Sequence, residues 1–280
     1  MDNAGDFLDW WFEGDFLQGK TEKVFKRYYS NYYKNFSGYL KRAWTDRHRE
    51  LDEALREGTD RNHLRVLDLG CGTGSISLYV AAKYQDGCEV VGLDINEDRI
   101  QCAEERKKVL EKKSGRKIQC RYMNTNLLNL DDEIKFDIIF LEETFHHLEP
   151  RFKVVRKISD LLRDGGVLII SEVNAYNVFM QLQLLKRRGF KTIRRMTLDD
   201  GQVIDYGVER IVTARRLIRL FKFHGLRVKS LRYFRIASAK LGNILEKMGF
   251  DLLSDERVIC NIPFFNRSFA VHYNIVFKKD

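Results

Sequence analysis

The sequence predicts a doubly wound α/β sheet with helices on both faces. Three observations predict it. Short apolar runs alternate with helical stretches from residue 65 to 171, an order that places parallel strands between helical crossovers. The first run ends in a glycine-rich loop, Gly70-Cys71-Gly72-Thr73-Gly74, which opens a helix. The chain has 280 residues, enough to bury a large core without disulfide or metal staples.

The elements follow in order. From Phe7 to Glu57 the chain reads as helical and aromatic-rich, with breaks at Gly14, Gly19 and Gly38. Phe25, Tyr28, Tyr29, Tyr32, Tyr33 and Phe36 recur at helical spacing, which makes one aromatic face. Such a face packs on a core or closes over a ligand, and spacing alone leaves both readings open. Arg65–Leu69 is a buried strand, and Ser75–Lys83 a helix. Glu89–Leu93 is a second strand, followed by an Asn96 cap and a helix to about Lys113. Ile118–Met123 and Phe136–Leu141 are the third and fourth strands. A helix over Phe152–Leu162 stops at Asp164-Gly165-Gly166, before a fifth strand at Val167–Ser171.

Beyond that point the pattern changes. Asn177–Arg188 reads as an apolar helix, and Gly189–Gly207 as basic and then turn-rich. Thr213 caps a helix to Phe223, Leu226–Phe234 alternates as a strand, Ala237–Met248 reads as a helix, and Phe269–Phe277 alternates as a last strand.

Composition narrows the function classes. The chain is 44% hydrophobic and 32% charged, which argues for a globular domain and against disorder. No run approaches the roughly 20 apolar residues of a membrane-spanning helix, and the segment from Met1 to Trp11 has no signal-peptide pattern. A net charge of +9 favours encounter with anionic partners without defining one. The cysteines Cys71, Cys88, Cys102, Cys120 and Cys260 contain no C-x-x-C pair, so the zinc-site spacing is missing and no metal is expected. Scattered and odd in number, they point to reduced thiols and a cytoplasmic location.

The chemistry is carried by the loop and by Asp94. Glycines let the backbone turn sharply and approach a ligand, and ligands of open α/β sheets bind beyond the carboxyl ends of the strands. Asp94 ends the second strand about twenty residues after the loop, where a carboxylate accepts hydrogen bonds from both ribose hydroxyls of an adenosine. A dinucleotide fingerprint would need a third glycine where this chain has Ser75.

Asp68-Leu69-Gly70-Cys71-Gly72-Thr73-Gly74 resembles the signature loop of the class I, Rossmann-like S-adenosylmethionine-dependent methyltransferases. The similarity continues through Gly92-Leu93-Asp94, Phe136-Asp137-Ile138-Ile139, His146-His147-Leu148 and Leu161 to Leu168. The resemblance implies a seven-stranded, mostly parallel sheet with an antiparallel last strand, S-adenosylmethionine as cofactor, and methyl transfer. It implies that Asp68 and Gly70 border the methionine end, which Glu142 is expected to touch, and that Gly72 lies near the sugar. It further implies that Asp94 holds the ribose and that Ile95 packs on the adenine, with Cys71, Gly74 and Leu127 also among the cofactor-binding residues. Asn126 stands where the family often has an aspartate on the adenine amino group, and its amide oxygen still accepts a hydrogen bond.

His146 and His147 follow the fourth strand, as in small-molecule methyltransferases of quinone and lipid biosynthesis. They are the candidate catalytic residues, one of them as a base for an acceptor hydroxyl, or else they serve as a helix cap and a buried polar contact. Residues 1–60 are expected to form a helical cover, and 61–280 the methyltransferase domain, with an acceptor-site insert at about 174–212 after strand five. Within the insert, Phe179, Met180, Leu182, Leu184 and Leu185 adjoin Lys186, Arg187, Arg188, Lys191, Arg194 and Arg195. An ordinary core helix with a solvated basic end is the favoured reading, and a lipid-like acceptor site or peripheral membrane contact is the alternative. The expected partner is a small, lipid-like or phenolic acceptor.

An RNA or protein acceptor, or a non-catalytic cofactor-binding scaffold, stands as the alternative function. Arg215, Arg216, Arg219, Lys222, Arg227, Lys229, Arg232 and Arg235 interleave with Phe221, Phe223, Tyr233 and Phe234, a combination that binds phosphates and stacks bases.

Overall fold

The computed structural model describes residues 19–33, 38–58, 63–84, 87–236, 244–245, 247–249, 262 and 268–280. The helical reading of residues 7–18, the side chains of Tyr28, Tyr29, Tyr32, Tyr33 and Phe36, most of the helix expected over 237–248, and Cys260 lie outside the described residues.

Three helices come first: α1 (Gly19–Tyr33), α2 (Gly38–Arg47) and α3 (Arg49–Gly58). The alternating unit follows as β1 (Leu64–Leu69), α4 (Ser75–Lys83), β2 (Cys88–Asp94), α5 (Glu97–Ser114), β3 (Cys120–Asn124), β4 (Phe136–Glu142), α6 (Arg151–Leu161) and β5 (Leu162–Val173). Then come α7 (Val178–Arg188), β6 (Ile193–Thr197), β7 (Val203–Gly207), α8 (Ala214–Phe223), β8 (Leu226–Phe234) and β9 (His272–Lys279). Seven strands make one sheet in the order β3-β2-β1-β4-β5-β9-β8. β1 to β5 are mutually parallel, and β9 runs antiparallel between β5 and β8.

Both faces of the sheet are buried, which is why its central strands read as continuous apolar runs. Successive side chains point to opposite faces. Val66, Ile138, Phe140, Ile169 and Val276 turn to the layer that holds Leu51, Leu55, Leu78 and Cys102. Leu67, Ile139, Leu141, Leu168, Ile275 and Phe277 turn to the layer of Val154, Ile158, Leu217 and Phe221. The expected caps are present: Asn96 Oδ1 accepts from Arg99 N at 2.9 Å and Thr213 Oγ1 from Arg216 N at 3.3 Å.

The structure differs from expectation in three places. β5 begins at Leu162, not Val167, because Leu162 already pairs with Phe136 and residues 163–166 bulge out before Val167 pairs with Ile138. The turn residues sit inside that bulge, with Gly165 at φ 72°. Second, the turn-rich stretch folds into the β6–β7 hairpin. Its side chains are mostly exposed, and apolar Ile193, Met196, Val203 and Ile204 follow no strict alternation, so no apolar period announced it. Third, α7 is no ordinary core helix, for only Leu184 is buried on it while Val178, Phe179 and Leu182 face outward. Asn177 anchors its start, accepting from Met180 N and donating to Phe269 O.

The early helices are tied down by buried polar residues. Asp46, Arg47, His48, Glu50 and Asp52 are all buried. Arg232 binds Asp46 and Glu50, and Tyr79, Lys83 and Tyr84 meet Asp52. These bonds leave few charges without partners, as burial demands. They also thin the basic and aromatic patch, because Arg232 is engaged and Phe221 and Phe234 are buried.

Candidate active site

Strand ends and one loop build the site. Gly70, Gly72 and Gly74 all adopt positive φ, where a Cβ is strained. The loop is pinned to the end of β2: Gly70 N and Cys71 N both donate to Leu93 O, at 2.7 and 3.0 Å. Gly72 N donates to Asp94 Oδ2 at 3.0 Å. The start of α4 lacks a side-chain cap of its own. Asp68 supplies one from the preceding strand, accepting from Ser77 N at 3.0 Å and Ser77 Oγ at 2.6 Å. Burial pushes the Asp68 carboxyl up to about 7, against the Ser77 hydrogen bonds that favour its ionised form.

A cavity of about 390 Å³ opens above this loop. It is lined by Asp68, Gly70, Cys71, Gly72, Asp94, Ile95, Asn126, Leu127, Glu142 and His147, together with parts of β7. Gly74 and His146 are not on that wall. Gly74 acts from behind, where an added Cβ would fall 2.4 Å from Tyr122 Oη and 2.9 Å from Ala103 Cβ. At Gly72 the same atom meets nothing within 4 Å, so the backbone there is open to a ligand. Asp94 Oδ1 accepts from Asn96 N at 2.9 Å. Arg99 Nη1 also faces Asp94 Oδ2, at 3.6 Å, and Oδ1 keeps a second lone pair for a ligand hydroxyl. Asn126 Oδ1 accepts from Leu128 N at 3.0 Å, which turns its side chain toward the loop after β3.

The far end of β4 carries an ion-pair cluster that sequence reasoning missed. Arg47 Nη1 meets Glu142 Oε1 and Arg47 Nη2 meets Glu143 Oε1, each at 2.9 Å, while Arg47 Nε donates to Ser171 Oγ at 3.0 Å. His48 Nε2 lies 3.0 Å from Glu142 Oε2, and His272 Nε2 lies 2.8 Å from Glu143 Oε1. Burial alone would raise both carboxyl pKa values. The Arg47 guanidinium, with His48 beside Glu142 and His272 beside Glu143, outweighs it and holds both below the usual range. Burial, then the nearby charge of Arg47, pushes His272 down to about 4.

The two histidines are held differently. His146 Nδ1 is 2.7 Å from Glu172 Oε2. Burial disfavours its charge, but Glu172 and then Glu209 overcome that and raise it to about 9. His147 Nδ1 is 2.8 Å from Gly207 O, and burial followed by the charge of His146 lowers it to about 4. The hairpin fixes this arrangement. Tyr206 pairs with Leu148 and stacks on the His147 ring at 4.7 Å. A Cβ on Gly207 would fall 2.2 Å from His146 O, so only glycine permits so close an approach.

The fold is that of the class I, Rossmann-like methyltransferases: a seven-stranded, mostly parallel sheet with one antiparallel strand near its edge. Residues 60–194 match the family model described as a methyltransferase domain. The chain is 34% identical over 127 residues to a ubiquinone biosynthesis O-methyltransferase of Ruegeria pomeroyi, covering 45% of this chain and 47% of the relative. It is 28% identical over 137 residues to 27-O-demethylrifamycin SV methyltransferase of Amycolatopsis mediterranei, covering 46% and 48%. The matches thus span about half the length of those relatives. A solved S-adenosylmethionine-dependent methyltransferase from Clostridium acetobutylicum superposes with TM-score 0.55 at 15% identity, over 91% of this chain and 97% of that one. At that identity the likeness is one of fold.

Proposed function

We propose that this chain transfers a methyl group from S-adenosylmethionine to a small, lipid-like or phenolic acceptor. The observation that carries the reading is one continuous cavity lined by Gly72 and Asp94 of the loop wall and by His147 and Tyr206 of the hairpin wall. The loop wall suits a nucleoside and the hairpin wall an acceptor. The relatives named for ubiquinone and rifamycin O-methylation support a small-molecule acceptor.

The sulfonium of S-adenosylmethionine supplies an activated methyl group when bound. The chain's own contribution is to bind, align and exclude water, and alignment alone is worth up to about 7–11 kcal/mol. In this reading Asp94 accepts the ribose hydroxyls and Ile95 and Leu127 flank the adenine. Asn126 Oδ1, which already accepts from Leu128 N, offers its remaining lone pair to the adenine amino group, and Asp68, Gly70, Cys71 and Glu142 border the methionine end. His147 is the group that meets the acceptor. Its Nδ1–H donates to Gly207 O, so its other ring nitrogen presents a lone pair to an acceptor hydroxyl. His146, off the cavity wall, acts through His147, whose ring lies 4.1 Å away.

Titration calorimetry with S-adenosylmethionine and with NAD tests the cofactor, and tight NAD binding without S-adenosylmethionine binding would overturn it. Incubation with methyl-labelled cofactor and fractionated extract tests the acceptor. Label is expected in small molecules, and label confined to RNA or polypeptide would reverse the choice.

A further inference from the structure

We infer that His146, His147 and Glu209 form a binding site for a divalent first-row transition-metal ion beside the hairpin wall of the cavity. One ring nitrogen from each histidine and one Glu209 carboxylate oxygen lie within 4.8 Å of one another. His146 Nε2 is 3.7 Å from Glu209 Oε2. Two imidazoles and one carboxylate are the donor set that zinc and iron(II) take, with further coordination positions left open.

The surroundings match what such ligands need. A metal-binding histidine donates its other N–H to a carboxylate or backbone carbonyl, which fixes the tautomer and aims the lone pair. Both histidines have that partner on Nδ1: Glu172 for His146 and Gly207 O for His147. Nε2 is therefore the ligating nitrogen on each ring, and on His146 the ion would displace the proton held there, releasing it to solvent. Glu209 is held at φ 48°, a backbone state that non-glycine residues rarely adopt. With Glu172 behind and Glu209 in front, two carboxylates face the histidine pair and balance a divalent charge. The cysteine spacing spoke only against a structural thiolate site, and this donor set is different.

Of the three ligands His147 lines the cavity, so its side is the one on which the ion would meet the proposed acceptor. Resting on the methyl-transfer reading for its purpose, the ion would take the acceptor's oxygen as a ligand. It would thereby lower the pKa of that hydroxyl, in place of a direct contact with His147. An oxygen acceptor with an ionisable hydroxyl is the matching substrate class.

The test is calorimetric titration of the metal-stripped full chain with Zn²⁺ and, separately, Mn²⁺, with metal content checked by mass spectrometry. One Zn²⁺ per chain is expected, with affinity lowered by about tenfold or more in Glu209→Gln and in His147→Gln. The S-adenosylmethionine affinity and melting temperature of Glu209→Gln are expected to stay at the wild-type values, since that side chain is 38% exposed. No saturable one-to-one binding of either ion, or binding that survives both substitutions, overturns the site. S-adenosylmethionine binding measured on the same samples separates the two readings: loss of that binding alone strikes the methyl-transfer reading, and loss of metal binding alone strikes this one.

Discussion

The guanidinium of Arg106 lies 4.5 Å from the centre of the Phe25 ring, and its Nη1 reaches Thr73 Oγ1 at 3.2 Å. A helix that precedes the sheet in the chain is thereby coupled, through one buried cation, to the glycine loop. Phe25→Ala is expected to destabilise the fold by about 3–5 kcal/mol, the usual range for a buried phenylalanine. Urea denaturation measures this, and a loss under about 1 kcal/mol would mean that α1 does not depend on that contact.

Gly72 and Gly74 are expected to fail in different ways. Gly74→Ala combines positive φ with a clash against Tyr122 and Ala103 and is expected to destabilise by at least ~2 kcal/mol. Tyr122→Phe on the same background should recover part of that loss, because the hydroxyl is the nearest obstacle. Gly72→Ala meets open space, so its stability loss is expected near ~1 kcal/mol while cofactor affinity falls. Denaturation curves alongside calorimetry check both, and the same profile for the two variants would contradict the geometry.

Asp94→Ala is expected to weaken S-adenosylmethionine binding by roughly 1.5–3 kcal/mol through lost hydrogen bonds to a charged group. Calorimetry reads this directly. Unchanged affinity would place the ribose elsewhere in the cavity.

The Arg47 cluster predicts the acid limb of stability. His272 is held at about 4, below its ordinary 6.5, so the unfolded chain takes up that proton first and this group's contribution falls as pH drops from 6.5 toward 4. Glu142 and Glu143 are held below their ordinary 4.5, so their contribution is complete above 4.5 and is lost as pH falls beneath it. Melting temperature is expected to decline below pH 4.5, where Glu142 and Glu143 lose their charge, with a shallower slope there in Glu143→Gln. Equal slopes would show that the cluster is not the source.

The loop, Asp94 and the alternating strands were legible because each is a local pattern. Asp68 through Gly74 announces its turn within seven residues, and Val66 to Leu69 shows burial on both faces. Arg47 was not legible, because Glu143 and Ser171 lie 96 and 124 positions away and no spacing rule links them. The charged run Asp46-Arg47-His48-Arg49-Glu50 was the available signal, and the structure buries all of it but Arg49, which such residues accept only when paired. Tyr206 was hidden for another reason. Its hairpin is mostly solvent-facing, and only Asp200 and Gly201, which close its turn, hinted at paired strands. His146 sits beside a predicted neighbour yet behind the wall, a distinction of orientation that adjacency in sequence does not carry.

The family-matched stretch stops at residue 194, inside the first strand of the β6–β7 hairpin. The loop wall of the cavity and the wall that bears Ile204, Asp205 and Tyr206 are therefore encoded in separable stretches of gene. Exposed hairpin positions can accumulate substitutions without disturbing the seven-stranded sheet or the loop fixed to it. The hairpin wall can thus change in outline while the glycine loop and the strand ends that pin it stay as they are.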